Sequence, residues 1–470
     1  MGLEPGAPIV LGNREHTHHP RSLDVRLFLN TLRERGGREN ATPAQIYNEV
    51  APQNVRAAVV VGRPVAIRTI ARARRRLSPP IPEHLQQWAD ILNQPEWRQR
   101  LLWCNGTNNR FFQGQLNILD REVPRFDGLV FANEAFLRSN NVHLSTVRTI
   151  CIDGTYQVRP NHPADIAQLI TVQVVLNNVA IPIVHGLLVD STTESYCRLL
   201  QFIRNDLQLH FEYQHLRIIT DFEQGLRNAV MMVMPESTNT GCWFHYIRSI
   251  IRFVRSHNMA RLCNTNANAR RIVRMLMALP HLPSDMEEYY GNQFSINLGF
   301  LNIQNLVNQY NLNVELNALI VYFQHYWMDI VGPQRFSVCR LRHRTNNFIE
   351  SYHASLLRRM GQHPPLYVFY DHLRGIEQQS RMDFSRAIDG LPVRRVNSHV
   401  YPQNTITLNH AWLQAENGQY TLEEFQRYTA HTPEQILMVE IGEPVFVEND
   451  LQDLDLNLEA LPPSFQQMGY

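Results

Sequence analysis

Three acids stand where the chain changes character, and their type and setting limit the chemistry open to them. Asp153 follows Thr149-Ile150-Cys151-Ile152, Asp221 follows Arg217-Ile218-Ile219-Thr220, and Glu350 closes Thr345-Asn346-Asn347-Phe348-Ile349-Glu350. Each has an ordinary structural explanation. Asp153-Gly154 reads as a turn dipeptide. Asp221 reads as a helix cap with Gln224 three residues on, and Glu350 as the third helical residue behind an Asn347 cap. As a set, however, they fit phosphodiester cleavage. That reaction needs carboxylates converging on one spot, to hold two metal ions about 3.5–4 Å apart. Mg²⁺ takes hard oxygen ligands, so acids rather than His or Cys are required. Asp190, Glu194 and Glu223 are further acids in the same stretch, and spacing alone leaves the third position open.

Such convergence requires strands that end side by side and a helix packed over them. Val147 to Ile152 is a β-branched run, and Leu169 to Leu176, Asn177-Asn178 and Val179 to Leu188 read as a hairpin. Glu194 to Leu207 reads as a helix, Leu216 to Thr220 as a short buried strand, Phe222 to Met234 as a helix, followed by a strand near Cys242. The succession predicts a mixed α/β sheet. From Ile247 to about Arg344 the pattern turns helical, and a helix resumes over Asn347 to Met360.

The segments Ile152-Asp153-Gly154-Thr155-Tyr156, Ile218-Ile219-Thr220-Asp221-Phe222-Glu223 and Gly241-Cys242-Trp243-Phe244-His245, in that order, closely resemble the Mutator-like element (MULE) transposase domain. Thr345-Asn346-Asn347-Phe348-Ile349-Glu350-Ser351-Tyr352-His353 resembles the segment bearing that family's last acid. The resemblance spans roughly Val147 to Met360. It implies an RNase H-like DDE fold at 147–360 with a helical insertion at about 247–344. It also implies Asp153, Asp221 and Glu350 as catalytic residues and ligands of two Mg²⁺ (or Mn²⁺) ions. His245, in the CxxH element, is expected near the DNA or the carboxylates, while Cys242 and Trp243 are expected in the core. Cys242 and His245 are half of a zinc site, Cys263 and His257 are unsupported completions, and zinc is not expected. Many relatives carry a FLYWCH zinc finger whose end resembles His16-Thr17-His18; its earlier, cysteine-bearing half is absent here.

The implied activity is transposition: metal-dependent cleavage at element ends, then strand transfer of a 3′-hydroxyl. The partners would be DNA, both terminal inverted repeats and target, and a second copy of the chain, since transposases commonly act as multimers. The alternatives are a domesticated DNA-binding regulator that keeps the fold without transposing, and a general RNase H-like nuclease.

Charge distribution fits a polyanionic partner. The 470 residues carry 44 bases, all arginine, against 43 acids, for a net charge of +1 that excludes a wholesale polycation. Seven arginines and no acid lie between Arg56 and Arg76, and seven and none between Ser237 and Ser284. Eleven acids face one base from Trp412 onwards. Near Pro64 starts a helix with Ala66, Ile70, Ala73 and Leu77 on its apolar stripe and Arg68, Arg72 and Arg75 opposite. With helices over Leu23 to Arg35 and Thr42 to Val50, this suits a helix-turn-helix-like module whose last helix enters the major groove. In the insertion, Arg248, Arg252, Arg255, Arg261, Arg270, Arg271 and Arg274 are candidates for holding DNA backbone, with affinity falling as salt rises.

The expected organisation is a flexible terminus at 1–20, a helical DNA-binding region at 21–78 and a helical connection at 83–146. After the 147–360 domain come a helical or irregular region at 361–411 and an acidic, partly flexible tail at 412–470. Six scattered cysteines suggest a reducing compartment. No apolar run is long enough to span a membrane, and Arg72-Ala73-Arg74-Arg75-Arg76 suits nuclear import.

Overall fold

A computed structural model describes residues 21–39, 41–76, 79–118, 124–345, 347–393 and 400–445. The chain divides into two compact units, Met1–Pro80 and Ile81–Tyr470.

The first unit is all helical where described: Arg21–Arg38, Pro43–Val50, a 3-10 turn Ala51–Asn54, Val55–Val61 and Arg63–Arg76. The helix Pro43–Val50 starts with a complete capping box, Thr42 accepting from the Gln45 N–H and the Gln45 side chain accepting from the Thr42 N–H. Phe28, Leu32, Ile46, Val50, Ala66 and Ile70 form its core. The outer helices cross at Gly36, where a Cβ would lie 2.8 Å from the Ile70 Cγ2. Arg68, Arg72 and Arg75 are exposed on Arg63–Arg76, opposite Ala66 and Ile70. Arg74 instead turns inward, donating to the carbonyls of Gly36, Glu39 and Ala41. Leu77, and His16-Thr17-His18, lie outside the described residues.

The second unit is built on a seven-stranded mixed sheet: β1 (Phe112–Ile118), β2 (Arg125–Ala132), β3 (Thr149–Thr155), β4 (Gln168–Leu176), β5 (Val179–Leu188), β6 (Arg217–Thr220) and β7 (Thr238–Gly241). The spatial order is β1-β2-β5-β4-β3-β6-β7. Pairings are antiparallel from β1 through to β3, then parallel for β3–β6 and β6–β7. Asn177 and Asn178 take φ of 47° and 64°, the left-handed pair that a two-residue hairpin turn needs. Helices Thr193–Gln201 and Gln224–Val233 make the crossovers into β6 and β7. Their apolar sides pack on one face with Ile150, Ile152, Val172 and Ile218. The other face, with Cys151, Leu169, Leu187 and Ile219, is covered by Leu85–Asn93, Asn347–Met360 and Leu366–Ile388.

β1 and β2 correct the expected all-helical connection over 83–146. Phe111, Phe112, Phe131, Trp88 and Tyr370 form an aromatic cluster there, which explains why this edge adds to the sheet.

The insertion leaves the sheet after β7 through Trp243–Ser256 and returns at Arg344. Its two ends meet: the Trp243 N–H donates to the Arg344 carbonyl at 2.9 Å. Between them lie helices and one short hairpin, Glu287–Tyr289 with Asn292–Phe294. The acidic segment from Trp412 corrects the expected tail. As far as residue 445 it is largely helical, and Trp412, Ala415, Phe425, Tyr428 and Leu437 enter the insertion's own core. Residues 446–470 lie outside the described residues. Among the described residues no helix is long and apolar enough to cross a membrane.

Candidate active site

Register positions the first two acids. β3 pairs with β6 as Thr149↔Arg217, Ile150↔Ile218 and Cys151↔Ile219. Continued two residues, the same offset sets Asp153 beside Asp221. Strand alternation then puts both on the face of Cys151 and Ile219. That face is the one Asn347–Met360 covers.

Asp153 is buried and still inside β3, paired with Thr171, so it is not the turn residue of a dipeptide. Its Oδ1 accepts the Gly154 N–H at 2.9 Å. Asp221 lies just past β6, where its Oδ1 accepts the Glu223 N–H at 3.0 Å and holds the loop entering Gln224–Val233. Glu223, not Asp221, is the capping position of that helix.

Glu223 joins them. Its Oε1 accepts from the Tyr196 hydroxyl at 2.6 Å, and that hydroxyl accepts from Gln168 Nε2 at 2.5 Å. A Cβ at Gly154 would stand 2.5 Å from Gln168 Oε1, so glycine next to Asp153 leaves room for this chain of contacts. Burial, and then the Asp221 charge, push the Glu223 carboxyl up, while the Tyr196 bond opposes them. The Tyr156 hydroxyl reads the whole field: burial raises it, and so do Glu223, Asp221 and Asp153.

The helix Asn347–Met360 is tied down beside them. Tyr352 OH and His185 Nε2 on β5 lie 2.8 Å apart, and His353 Nδ1 is 3.7 Å from Asp153 Oδ2. Burial pushes the His353 imidazole down to about 4. Glu350 is one turn upstream of His353 on the same helix; its side chain lies outside the described residues.

His245 sits in the first turn of Trp243–Ser256. Burial holds its imidazole below the ordinary range; Asp221 pulls it up, while Arg248 and Arg252 push it down. The charges it feels are therefore Asp221 beyond the end of β6 and Arg248 and Arg252 further along its own helix. Arg227 also feels Asp221, although burial and Arg335 push its guanidinium down to about 10. Cys242 is buried against the sheet and Cys263 in the insertion's core, so the two belong to different clusters. Trp243 is core, its Nε1 donating to the Met277 carbonyl.

The insertion's arginines separate into two sets. Arg248, Arg252 and Arg255 are exposed along one helix; Arg248 and Arg255 reach Glu440 at 3.8 and 3.0 Å. Arg271 and Arg274 are corrections. Arg274, with Arg270, is buried against Glu434 at 3.0 and 2.6 Å, and Arg271 is buried on Asn268 and Tyr310. Arg270 and Arg274 thereby tie down the C-terminal helix Glu434–Ile441, and all three guanidiniums are buried rather than presented at the surface.

Among the described residues no group of three or more His, Cys, Asp or Glu is arranged to hold a metal ion. The donor chemistry nonetheless fits a hard divalent cation. The acids here are oxygen donors; burial, and to a lesser extent the Asp221 charge, raises Glu223, and a cation beside them would offset both.

Asp153 and Asp221 thus lie at the carboxyl ends of the parallel strands β3 and β6, beneath the helix Asn347–Met360 and near the exposed arginines of Trp243–Ser256. Residues 149–249 match the MULE transposase domain. The match contains Asp153, Asp221, Glu223 and His245. No curated protein matches the chain.

Sequence reasoning had weighed Glu223 only as a substitute acid. It missed Tyr196, Tyr156 and Gln168, because nothing along the chain shows that residues so far apart meet. His353 lay inside the quoted motif, and its spacing of three from Glu350 was the available signal.

Proposed function

We propose that this chain is a DDE-type transposase with an RNase H-like core, cutting DNA at element ends and transferring the 3′-hydroxyl strand into a target. The sheet order β5-β4-β3-β6-β7, with its antiparallel pairs followed by parallel ones, supports the RNase H-like assignment. The β3–β6 register that sets Asp153 beside Asp221 is the observation that carries the chemistry.

Asp153 and Asp221, with Glu350 from the covering helix, would hold two Mg²⁺ or Mn²⁺ ions. When bound, the ions activate the attacking oxygen and stabilise the leaving one. The chain's own residues do the rest. Tyr196 fixes the Glu223 carboxylate, and the paired ends of the insertion keep the covering helix on the sheet. His353, neutral at physiological pH, packs beside Asp153 without cancelling its charge. His245 would contact the DNA beside Asp221. Arg248, Arg252 and Arg255 would contact the phosphate backbone there, and Arg68, Arg72 and Arg75 would do so on the first unit. The arginine run at 72–76 suits nuclear entry.

The test is strand transfer by the full chain on DNA bearing the element's terminal inverted repeats, with Mg²⁺ or Mn²⁺. Joined products from the wild type and none from Asp153→Asn support the proposal. DNA binding without cleavage by folded wild type would favour the domesticated regulator.

A further inference from the structure

At the amino ends of β3, β6 and β7, opposite to the carboxylates, lies a cavity of about 400 Å³. It is lined by Arg148, Arg217, Arg340, Arg342, His215 and His343, with no acid among its lining residues. Two of these bases already have carboxylates outside the cavity: Arg148 pairs with Glu212 at 3.0 Å, and Arg340 with Glu416 at 2.8 Å. Arg217 differs. It is half-buried, and among the described residues its guanidinium has no carboxylate or hydrogen-bond partner; burial alone pushes it below the ordinary range. His343 Nδ1 is likewise buried without a hydrogen-bond partner. A desolvated cation without an anion is costly, and such a group in a concave basic site is what a bound anion repairs.

The geometry points to a phosphate-binding site at Arg217, Arg342 and His343, separate from the carboxylate centre. Arginine's planar fork suits phosphate oxygens, and the imidazole supplies a further polar contact. Arg217 precedes Asp221 by four residues, which at strand rise is about 13 Å. A phosphate seated there would therefore touch none of the acids. The anion is either a backbone phosphate of DNA or a free phosphoanion. Only the first source rests on the transposase proposal.

The experiment compares full-length wild type, Arg217→Ala and Arg342→Ala. Pyrophosphate binding is followed by thermal shift, and binding of a random-sequence duplex by anisotropy across a salt series. Circular dichroism checks folding, and the exposed Arg342 provides a variant whose substitution leaves the core untouched. A backbone phosphate is the source if both variants lower duplex affinity roughly tenfold or more and reduce the salt slope by about one. Loss of the pyrophosphate shift with duplex affinity unchanged supports the site with a free phosphoanion as its ligand. Folded variants that keep both the wild-type pyrophosphate shift and the wild-type duplex affinity overturn it. Neither readout needs cleavage, so a chain without strand-transfer activity would still answer the question.

Discussion

The backbone N–H of Trp243 donates to the carbonyl of Arg344 at 2.9 Å, joining the first and last residues of the helical insertion. Through that bond a long excursion of chain costs the sheet nothing in geometry. The helix Asn347–Met360 resumes next to the strand that was left behind, with Tyr352 on His185 and His353 against Asp153.

The His185 anchor makes the fold acid-sensitive. Burial, and then His353, push the His185 imidazole down to about 3 from an ordinary 6.5. Between those values the unfolded chain binds the extra proton, so stability rises with pH there. The contribution is complete above about 6.5 and is lost as pH falls towards 3. His185→Gln should flatten the urea-unfolding dependence in that window by up to about 1.4 kcal/mol per pH unit. An unchanged slope would show that His185 titrates normally.

Gly154→Ala should act on the site through Gln168. The new Cβ meets Gln168 Oε1 at 2.5 Å and Ile170 Cδ1 at 2.9 Å, and Gln168 supports Tyr196 and thereby Glu223. We expect a stability loss of about 1–3 kcal/mol and a fall in DNA cleavage of about tenfold to a hundredfold. Wild-type melting and cleavage together would remove Gln168 from the account.

Glu434→Ala should unsettle the C-terminal helices. Burial alone would raise the Glu434 carboxyl, but Arg270 and Arg274 hold it below the usual range. Removing it takes the carboxylate from two buried guanidiniums, a loss of about 3–5 kcal/mol in chemical denaturation. Glu440→Ala breaks only exposed pairs to Arg248 and Arg255 and should cost no more than about 1 kcal/mol. Equal losses would contradict the buried assignment.

The arginines divide in the same way. Arg252→Ala should leave the melting temperature unchanged while reducing the salt slope of DNA binding by about one. Arg274→Ala should lower the melting temperature, with any loss of DNA binding following from unfolding. An anisotropy series beside a thermal melt separates the two.

The sheet was legible wherever local chemistry determined it. β-branched runs and an Asn-Asn turn marked β3 to β6, and Thr42 with Gln45 marked a helix start. The strands β1 and β2 were not, because their support comes from Trp88 and Tyr370, distant along the chain. Arg271 and Arg274 looked like DNA contacts because an acid-free run reads as a basic face. Their partners, Glu434 and Tyr310, lie on other helices. Asp153 and Asp221 could be placed at strand ends from sequence, but the Tyr196–Glu223 bond depends on a crossover helix and appears only in the fold.

The most direct test of the central claim is nicking of inverted-repeat DNA by the full chain under Mn²⁺ titration, comparing wild type, Asp153→Asn and Asp221→Asn. Metal-dependent nicking by the wild type, reduced at least a thousandfold, as an order of magnitude, in each folded variant, is the expected result. Wild-type nicking that survives in either folded variant would contradict a centre built on Asp153 and Asp221.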